Sequence, residues 1–513
     1  MKRVIVLFCF VLAADGRVIV VPDSAATIQA GLGMAGAGDT VLVRPGTYSE
    51  NIVWPATDGI KLFSMAGPDS TVIDGGGNRV VQIGTGITRT TELRGFTIRG
   101  GKASSGAGIM CAGSPVIAGN RICNNECRGG WDYGAGIFIG YQSAPLIIGN
   151  EIADNRCSDT ATWNYGGGIF VDMRATPEIG DNLITRNECS QGYWNYGAGI
   201  YCDLQSNPFI YQNIIVDNTN TLGDRGHGAG ICVETQAQAL IFANLVIGNH
   251  NTSGLWNYGA GLKVAGKAAL INNTIVGNVC AGGHWAYGGG VYVDYNDSAL
   301  IKNNIIVQNS AASGGGIYNQ GYVANRYNDV WNNAGGNYYG CSAGPGAISL
   351  DPLFVTGGRG QYYLSQIAAG QAQNSPCRDA ADTLLWTWPV NLDSLLRTWT
   401  TRTDSVFDEG VLDMGYHYPG GHPVGVREQL GPARVRAQLA GPTLFAGPVV
   451  FTTNLPGPAR LMVYDLTGKL VYQSRGQGRF VWDDPGRPAA VYYYRILTRA
   501  GVQTGRVVKL SPR

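Results

Sequence analysis

The chain has 513 residues, a formal charge of +1 and only 14% charged residues. This near-neutral balance excludes the strongly basic surface expected of a protein that binds nucleic acid or anionic membranes. The 76 glycines show no Gly-X-Y period, which excludes collagen.

Residues 1–14 have the pattern of a secretory signal. Lys2 and Arg3 precede an apolar run from Val4 to Ala13. The run is too short to anchor the protein permanently in a bilayer. It predicts export into the medium or to the cell surface, with no transmembrane segment after the signal is removed.

Residues 15–100 are predicted to form an N-terminal cap and the first coils of a solenoid. The stretch from Ser24 to Met34 is amphipathic and predicts a short helix that covers the open end. Thr40 to Tyr48 predicts a strand that ends in a turn. A cap is expected because an exposed strand edge would pair with other chains.

Residues 101–340 contain a repeat that decides the architecture. Trp163-Asn164-Tyr165, followed by Gly-Gly-Gly-Ile, returns 31 residues later from Trp194 as Trp-Asn-Tyr-Gly-Ala-Gly-Ile. A second signature, Asn-x-Ile-x-x-Asn, runs through the same units. A period of this length is typical of a solenoid, in which each unit buries its apolar face by stacking on its neighbours.

Each unit is predicted to hold three short strands, which indicates an all-β, three-faced parallel β-helix. Asparagine at a bend tolerates the left-handed backbone region, and stacked asparagines can bond to one another as a ladder. The apolar residues that follow the glycine motifs should form one inward column: Ile109, Ile137, Ile169, Ile200, Ile231, Leu262, Val291 and Ile317.

Four cysteines follow the repeat and should stack on successive coils: Cys127, Cys157, Cys189 and Cys280. Strands about 4.8 Å apart would allow disulfides, but parallel Cβ vectors would strain them. A row of buried thiols is therefore favoured over a row of disulfides.

The run from Thr27 to Glu50 resembles the opening of secreted right-handed β-helix proteins of the pectin-lyase-like superfamily. Asp351-Pro352-Leu353-Phe354 and the stretch from Asp413 to Tyr418 resemble the way many such bacterial surface proteins end. The resemblance implies a right-handed helix whose C-terminal end lies in residues 341–425. Because the superfamily includes lyases, hydrolases, esterases, epimerases and inert fibres, it implies the fold and not a function.

Residues 426–440 are predicted to be a linker, and residues 441–513 a small antiparallel β-sandwich. The run from Val463 to Val471 and the stretch from Tyr492 to Leu497 resemble C-terminal sorting domains of type IX secretion and the related FlgD-like immunoglobulin-type module. This resemblance implies a partner in the secretion and sorting machinery and a place at the outer membrane.

Three acidic residues are predicted to form a column on adjacent coils. Strand alternation turns Asp172, Asp203 and Glu234 outward, beside the outward rings of Phe170 and Tyr201. Neighbouring carboxylates suit a glycosidase, and carboxylate oxygens could hold Ca²⁺, the only cofactor that the sequence suggests. The plainer alternative is a solvated row at a coil corner.

The Trp and Tyr pairs are predicted to lie in stacked loops beside this column. Trp163 and Trp194 could contact sugar faces, or the rings could form a structural ladder. One coil breaks the pattern with Arg225 and His227. Gly226-His227-Gly228 resembles one motif of polygalacturonases, whose other motifs are missing here, and His227 is expected near Asp203 and Glu234.

Two hypotheses follow from these patterns. The first is an exported surface protein whose β-helix binds a polysaccharide or another extracellular partner through Phe170, Tyr201, Trp163, Trp194 and Arg225. The second is a polysaccharide lyase or glycoside hydrolase. Its catalytic candidates are the three acidic residues and His227.

Overall fold

The computed structural model describes two compact units, Met1–Gln429 and Leu430–Arg513. The predicted signal 1–14 and linker 426–440 lie outside the described residues. The described ranges are 16–158, 163–383, 391–419, 443–445, 449–452, 458–464, 470–476, 479–482, 490–498 and 501–509.

The first unit is a parallel β-helix built on three long sheets, as predicted. Sheet A consists of Val18–Val21, Thr40–Val43, Lys61–Ser64, Glu92–Arg94, Val116–Ala118, Leu146–Ile148, Glu178–Gly180, Phe209–Tyr211, Gln238–Phe242, Lys267–Ile271, Ser298–Lys302 and Tyr322–Arg326. Sheet B consists of Gly46–Ser49, Thr71–Asp74, Thr97–Arg99, Arg121–Cys123, Glu151–Ala153, Leu183–Thr185, Ile214–Val216, Leu245–Ile247, Thr274–Val276, Ile305–Val307 and Asp329–Trp331. Sheet C consists of Ile52–Val53, Val81–Ile83, Ile109–Cys111, Ile137–Ile139, Ile169–Val171, Ile200–Cys202, Ile231–Val233, Leu262–Val264, Val291–Val293, Ile317–Asn319 and Tyr338–Tyr339.

Two further parallel sheets correct the prediction that the Trp and Tyr pairs lie in loops. Sheet D consists of Lys102–Ala103, Glu126–Cys127, Arg156–Cys157, Glu188–Ser190, Thr219–Thr221, His250–Asn251 and Val279–Cys280. Sheet E consists of Trp131–Tyr133, Trp163–Tyr165, Trp194–Tyr196, Arg225–His227, Trp256–Tyr258 and Trp285–Tyr287. The insertion between sheets B and C is therefore an ordered lobe with its own hydrogen-bonded strands.

The glycine motif is explained by the tight turn from sheet E to sheet C. Its first glycine has a left-handed backbone, as at Gly197 with φ 56°. The glycine at the third position of the motif leaves no room for a side chain, since a Cβ on Gly136 would lie 2.5 Å from the carbonyl oxygen of Gly168. The predicted inward column of Ile, Leu and Val residues is confirmed, because all eight are fully buried.

Two ladders of buried asparagines run along the solenoid, as predicted. Asn213 donates from Nδ2 to Asn244 Oδ1 at 3.0 Å and to the carbonyl oxygen of Ile179 at 2.8 Å. The backbone reason differs from the prediction. The left-handed residue is the one before the asparagine, Gln212 with φ 56°, and the asparagine side chain satisfies the polar groups that the bend leaves open.

Three of the four predicted cysteines form a row of thiols on successive coils, whereas Cys280 is separated from Cys189 in sheet D by two intervening strands. Cys127, Cys157 and Cys189 pair in register on successive strands of sheet D, are fully buried and form no disulfide. Together with small residues such as Ala135 and Ala198 they form a separate apolar core between sheets D and E.

The N-terminal cap is the helix Ile28–Met34, shorter than predicted. Thr27 Oγ1 accepts a hydrogen bond from the backbone N–H of Ala30 at 3.0 Å. The carboxylate of Glu50 accepts from the backbone N–H groups of Ile28 and Gln29, both at 2.9 Å. The first turn of the helix is thereby fixed to the strand region that follows it.

The segment predicted to end the β-helix instead returns along the side of the solenoid. It contains the hairpin Phe354–Gly357 and Gly360–Leu364, the 3₁₀ turn Ile367–Ala369, the helix Leu392–Leu396 and the strand pair Trp399–Thr400 and Tyr418–Pro419. We call residues 351–383 and 391–419 the lateral segment. Leu392, Leu396 and Met414 pack in one apolar cluster with Phe242 and Ile305 of sheets A and B.

The second unit contains a mostly antiparallel sheet of Thr443–Phe445, Gly501–Lys509, Ala490–Thr498, Ala459–Tyr464 and Leu470–Gly476, and the pair Val449–Thr452 and Arg479–Trp482. Leu461 and Ile496 of the first sheet share a buried cluster with Phe480 and Trp482 of the second. Small antiparallel sheets at the C-terminus were predicted and are confirmed.

Candidate functional site

The candidate site lies in the angle between sheets C and E, which we call the corner. Ring contacts join the two sheets: Tyr165 lies 4.8 Å from Tyr201, and Tyr258 lies 4.8 Å from Tyr292, between ring centroids. Sheet E therefore covers the outward column of sheet C.

The packing in the corner contradicts the prediction that Phe170 and Tyr201 contact a ligand. Phe170 and Tyr201 point out of the solenoid, as strand alternation requires, but they are only 2% and 3% exposed. Rings of sheet E, such as Tyr165 and Tyr196, lie over them. Their function in the structure is to join the lobe to the solenoid, and they offer a ligand almost no surface.

The tryptophan column of sheet E forms a half-exposed surface that we call the ridge: Trp131, Trp163, Trp194, Arg225, Trp256 and Trp285. The Trp131 and Trp163 rings stack with centroids 5.2 Å apart, and those of Trp163 and Trp194 are 5.8 Å apart. The inner rings therefore present mainly their edges. The end members are more open, with Trp131 54% and Trp285 42% exposed.

Arg225 holds the place of a tryptophan in the broken coil. Its guanidinium carbon lies 4.1 Å from the centroid of Trp194 and 3.5 Å from that of Trp256, so the cation is sandwiched between two indoles. Within the described residues this guanidinium forms no ion pair and no hydrogen bond to a side chain. Arg225 therefore adds a positive charge to the ridge, and its guanidinium N–H groups can still donate hydrogen bonds to a ligand.

His227 is placed differently from the prediction. It is only 5% exposed and lies among the rings of Trp194, Tyr196 and Tyr258, and neither ring nitrogen has a hydrogen-bond partner. Burial lowers the pKa of His227 well below its ordinary value, and the nearby cations Lys263 and Arg225 lower it further. The imidazole is therefore neutral and enclosed by rings, so a substrate cannot come within the hydrogen-bond distance that general acid–base catalysis requires.

The acidic residues form the predicted column. Backbone N–H groups of Asp203 and Glu234 donate to Val171 and Cys202 in the coil before, each at 2.9 Å, which sets the carboxylates on adjacent coils. Each side chain is half-buried where a strand of sheet C turns towards sheet A. Asp172 Oδ1 accepts from the N–H of Met173 at 2.7 Å, a contact that shapes this turn.

The column has the electrostatics of a crowded acidic site. Burial raises the pKa of Asp203 to about 6, and the carboxylates of Asp172 and Glu234 contribute in the same direction. Burial also raises the pKa of Asp172. Tyr201 Oη donates to Glu234 Oε2 at 3.4 Å. Because burial raises both pKa values, Asp172 and Asp203 carry their negative charges at an electrostatic cost.

An ion pair between a buried lysine and a partly exposed aspartate was missed by sequence reasoning. Lys263 occupies the outward position next to Cys232, and its Nζ lies 3.1 Å from Asp294 Oδ2. Burial lowers the pKa of Lys263, but Cys232, Glu234 and Asp294 together raise it above its ordinary value. The signal was a lysine in a column that, from Phe138 to Tyr339, otherwise consists of aromatic residues and one cysteine.

The described residues contain no group of three or more His, Cys, Asp and Glu side chains placed to hold a metal ion. Asp172, Asp203 and Glu234, the residues predicted to bind calcium, form a line along the axis and do not surround a common point. No helix in the described part of the chain is long and apolar enough to cross a membrane.

Comparison with known proteins supports the fold. A family model described as "Right handed beta helix region" matches residues 83–280, which include most of the lobe and its adjoining coils. No curated protein and no solved structure matches the chain. Together with the sheet topology, the family match identifies a right-handed parallel β-helix.

Proposed function

We propose that the protein is exported and binds a polysaccharide at the ridge and the adjoining acidic column. The observation that supports this most is the ridge itself. Five tryptophans and Arg225 stand in register on six successive strands of one sheet, half-buried at the centre and more exposed at both ends. Rings with a polar edge beside carboxylates and a cation are the side chains that contact sugars.

The repeated geometry fits a polymer better than a small molecule. Coils rise about 4.8 Å each, so a ligand lying along the axis would meet the same kind of side chain at every step. A small-molecule site is usually a single concave pocket, whereas the ridge extends in a line over six successive strands of sheet E. The β-helix family match is consistent with a carbohydrate-related surface protein.

The direct test uses the exposed ends of the ridge. Trp131→Ala combined with Trp285→Ala should weaken binding to the glycans that an array identifies, because each variant removes an accessible ring with little support for the fold. Phe407→Ala is the matched control, since Phe407 is an aromatic residue 45% exposed on the lateral segment. An array without any hit, or a double variant that binds like the control, contradicts the proposal.

The second candidate is a polysaccharide lyase or glycoside hydrolase that acts at the acidic column. It is favoured by the position of Asp203 on a coil between those of Asp172 and Glu234, where burial and the two carboxylates raise its pKa. Incubation of the protein with uronate and neutral glycans, followed by product analysis, tests it. Turnover that Asp203→Asn abolishes supports an enzyme, and binding without turnover on any glycan excludes it.

The proposed place at the cell surface depends on residues 1–14 and on the second unit. Residues 1–14 would direct export, and the second unit would contact the sorting machinery. Fractionation of cells that express the full chain tests this, with a variant lacking residues 441–513 as the comparison. Equal surface retention of the two proteins argues against a sorting function for the second unit.

A further inference from the structure

A groove of about 1100 Å³ lies on the outer face of sheet A, and its lining includes no residue of the ridge or the acidic column. It runs over seven successive coils, from Ala144 to Ala324. Its lining includes a polar column and an apolar floor: Thr176, Asn207, Gln238, Lys267 and Ser298 form the column, and Phe209, Leu240, Ala269 and Leu300 form the floor.

The groove has an apolar floor. Phe209, Leu240, Ala269 and Leu300 pair in register, one from each of four coils. They share an apolar cluster with side chains of the lateral segment such as Trp399. The floor is therefore held in place by packing and is already formed in the absence of a ligand.

A column of hydrogen-bonding side chains runs parallel to the floor, two residues earlier on the same face. Thr176, Asn207, Gln238 and Lys267 are exposed, and Ser298 is half-buried. Within the described part of the chain, none of these five side chains makes a hydrogen bond or an ion pair. Four successive coils, those of Phe209, Leu240, Ala269 and Leu300, thus each offer one apolar and one polar contact side by side.

The charge at the groove is small. Arg89 at one end is neutralised by Glu178, with Nη1 2.6 Å from Oε1, and Arg89 Nε donates to the carbonyl oxygen of Ala144 at 3.2 Å. Lys267 is the only other charged residue of the described lining. The surface therefore suits a neutral or sparsely charged ligand.

A polypeptide strand is a poor occupant for this surface. The backbone groups of sheet A are used by its own parallel ladder, so the face offers only side chains and no free edge for strand addition. A pyranose chain fits better, because each ring has an apolar C–H face for the floor and hydroxyl groups for the polar column. A pyranose unit is also about as long as the coil spacing of about 4.8 Å.

We propose that the sheet A groove is a second glycan-binding site, which takes a neutral polysaccharide lying parallel to the solenoid axis. It depends on the proposed function only in assuming that the ligand class is carbohydrate. Six coil steps of about 4.8 Å give a length of about 29 Å, enough for several sugar units. The site is formed by one face of one sheet and needs no residue of the corner.

The test measures binding of cellohexaose, xylohexaose and mannohexaose by saturation-transfer NMR and calorimetry. At least one should bind, and its trisaccharide should bind more weakly because it spans fewer coils. Asn207→Ala combined with Gln238→Ala should reduce affinity about tenfold, as expected for two lost hydrogen bonds. Ala269→Arg should abolish binding by filling the groove.

The controls separate this site from the ridge. Gln205→Asn combined with Gln236→Asn changes two exposed amides of the same coils outside the groove, and Asn tolerates their left-handed backbone. This control should bind like the wild type, and so should Trp131→Ala combined with Trp285→Ala. Hexasaccharide binding that only the ridge variant weakens overturns the second site and leaves the proposed function standing. Absence of binding to every glycan overturns both.

Discussion

The guanidinium carbon of Arg225 lies 3.5 Å from the centroid of Trp256, in a position where the other five strands of sheet E carry tryptophan. The cation packs between two indole faces and keeps the stack continuous. In this coil an arginine replaces the tryptophan, but the stacked column of side chains continues through it. Arg225 adds an unpaired positive charge to the ridge without interrupting sheet E.

Arg225→Ala should lower the free energy of unfolding by about 1–2 kcal/mol, because two cation–π contacts and their packing are lost. Arg44→Ala is the comparison. It removes an exposed ion pair with Asp23, which should cost no more than about 1 kcal/mol. Urea titrations of both variants measure the difference. A smaller effect for Arg225 than for Arg44 would contradict the stacking argument.

His227 should make stability depend on pH. Its pKa is lowered in the folded state, so the unfolded chain binds the proton more readily, and stability is lost as pH falls below the unfolded value of about 6.5. At pH 5.5 the loss from this one group amounts to about 1.4 kcal/mol relative to pH 7.5.

His227→Tyr restores the residue of the neighbouring coils and should remove this contribution. Urea unfolding of both proteins at pH 7.5 and 5.5 checks it. Other groups, including Asp203, titrate equally in the two proteins, so the difference between them isolates His227. Parallel pH dependence in the two proteins would show that the imidazole is not the buried neutral group described.

Asn213→Ala should destabilise the solenoid more than an average core truncation of the same size. The side chain donates to Ile179, Tyr211 and Asn244, and it accepts from Asn182. Removal leaves several buried groups without partners, each at about 1–3 kcal/mol. Thermal unfolding should show a clear drop in the transition temperature, whereas Thr176→Ala on the exposed face should leave it unchanged.

Gly415→Ala should detach the lateral segment. A Cβ at Gly415 would lie 2.6 Å from Ile305 Cδ1 and 2.7 Å from Thr274 Oγ1, on the face where the segment packs against sheet B. Gly410→Ala is the control, because Gly410 has a similar φ of 77° and nothing within 4 Å of the added atom. Limited proteolysis should cut Gly415→Ala faster within residues 391–419. Equal cleavage of both variants would mean that contact at Gly415 does not hold the segment.

Much of the solenoid could be predicted because its sequence rules are local. Three residues of each unit define its backbone: a glycine in the left-handed region, a glycine without room for Cβ and an asparagine at a bend. Because these residues repeat, successive coils have the same shape and stack on one another. The inward column from Ile109 to Ile317 and the acidic column follow from the same count, since alternation along a strand assigns each side chain to a face.

The exposure of outward residues could not be predicted in this way. Alternation turned Phe170 and Tyr201 outward, but whether a second layer covers them depends on how sheet E folds over sheet C. The same limit applies to sheet B. Its outward positions change from Arg121 and Glu151 to Ile214 and Leu245, a pattern that indicates burial without saying which part of the chain provides it.

By itself, the sequence determined the β-helix, its inward core and its register, because these depend on contacts between equivalent positions of neighbouring units. Only the tertiary structure decided which outer surfaces remain open. Sheet E encloses His227 and Tyr201, and the lateral segment covers part of sheets A and B. The physical reason is that covering a face requires packing between segments far apart in the chain, and no period in the sequence encodes that pairing.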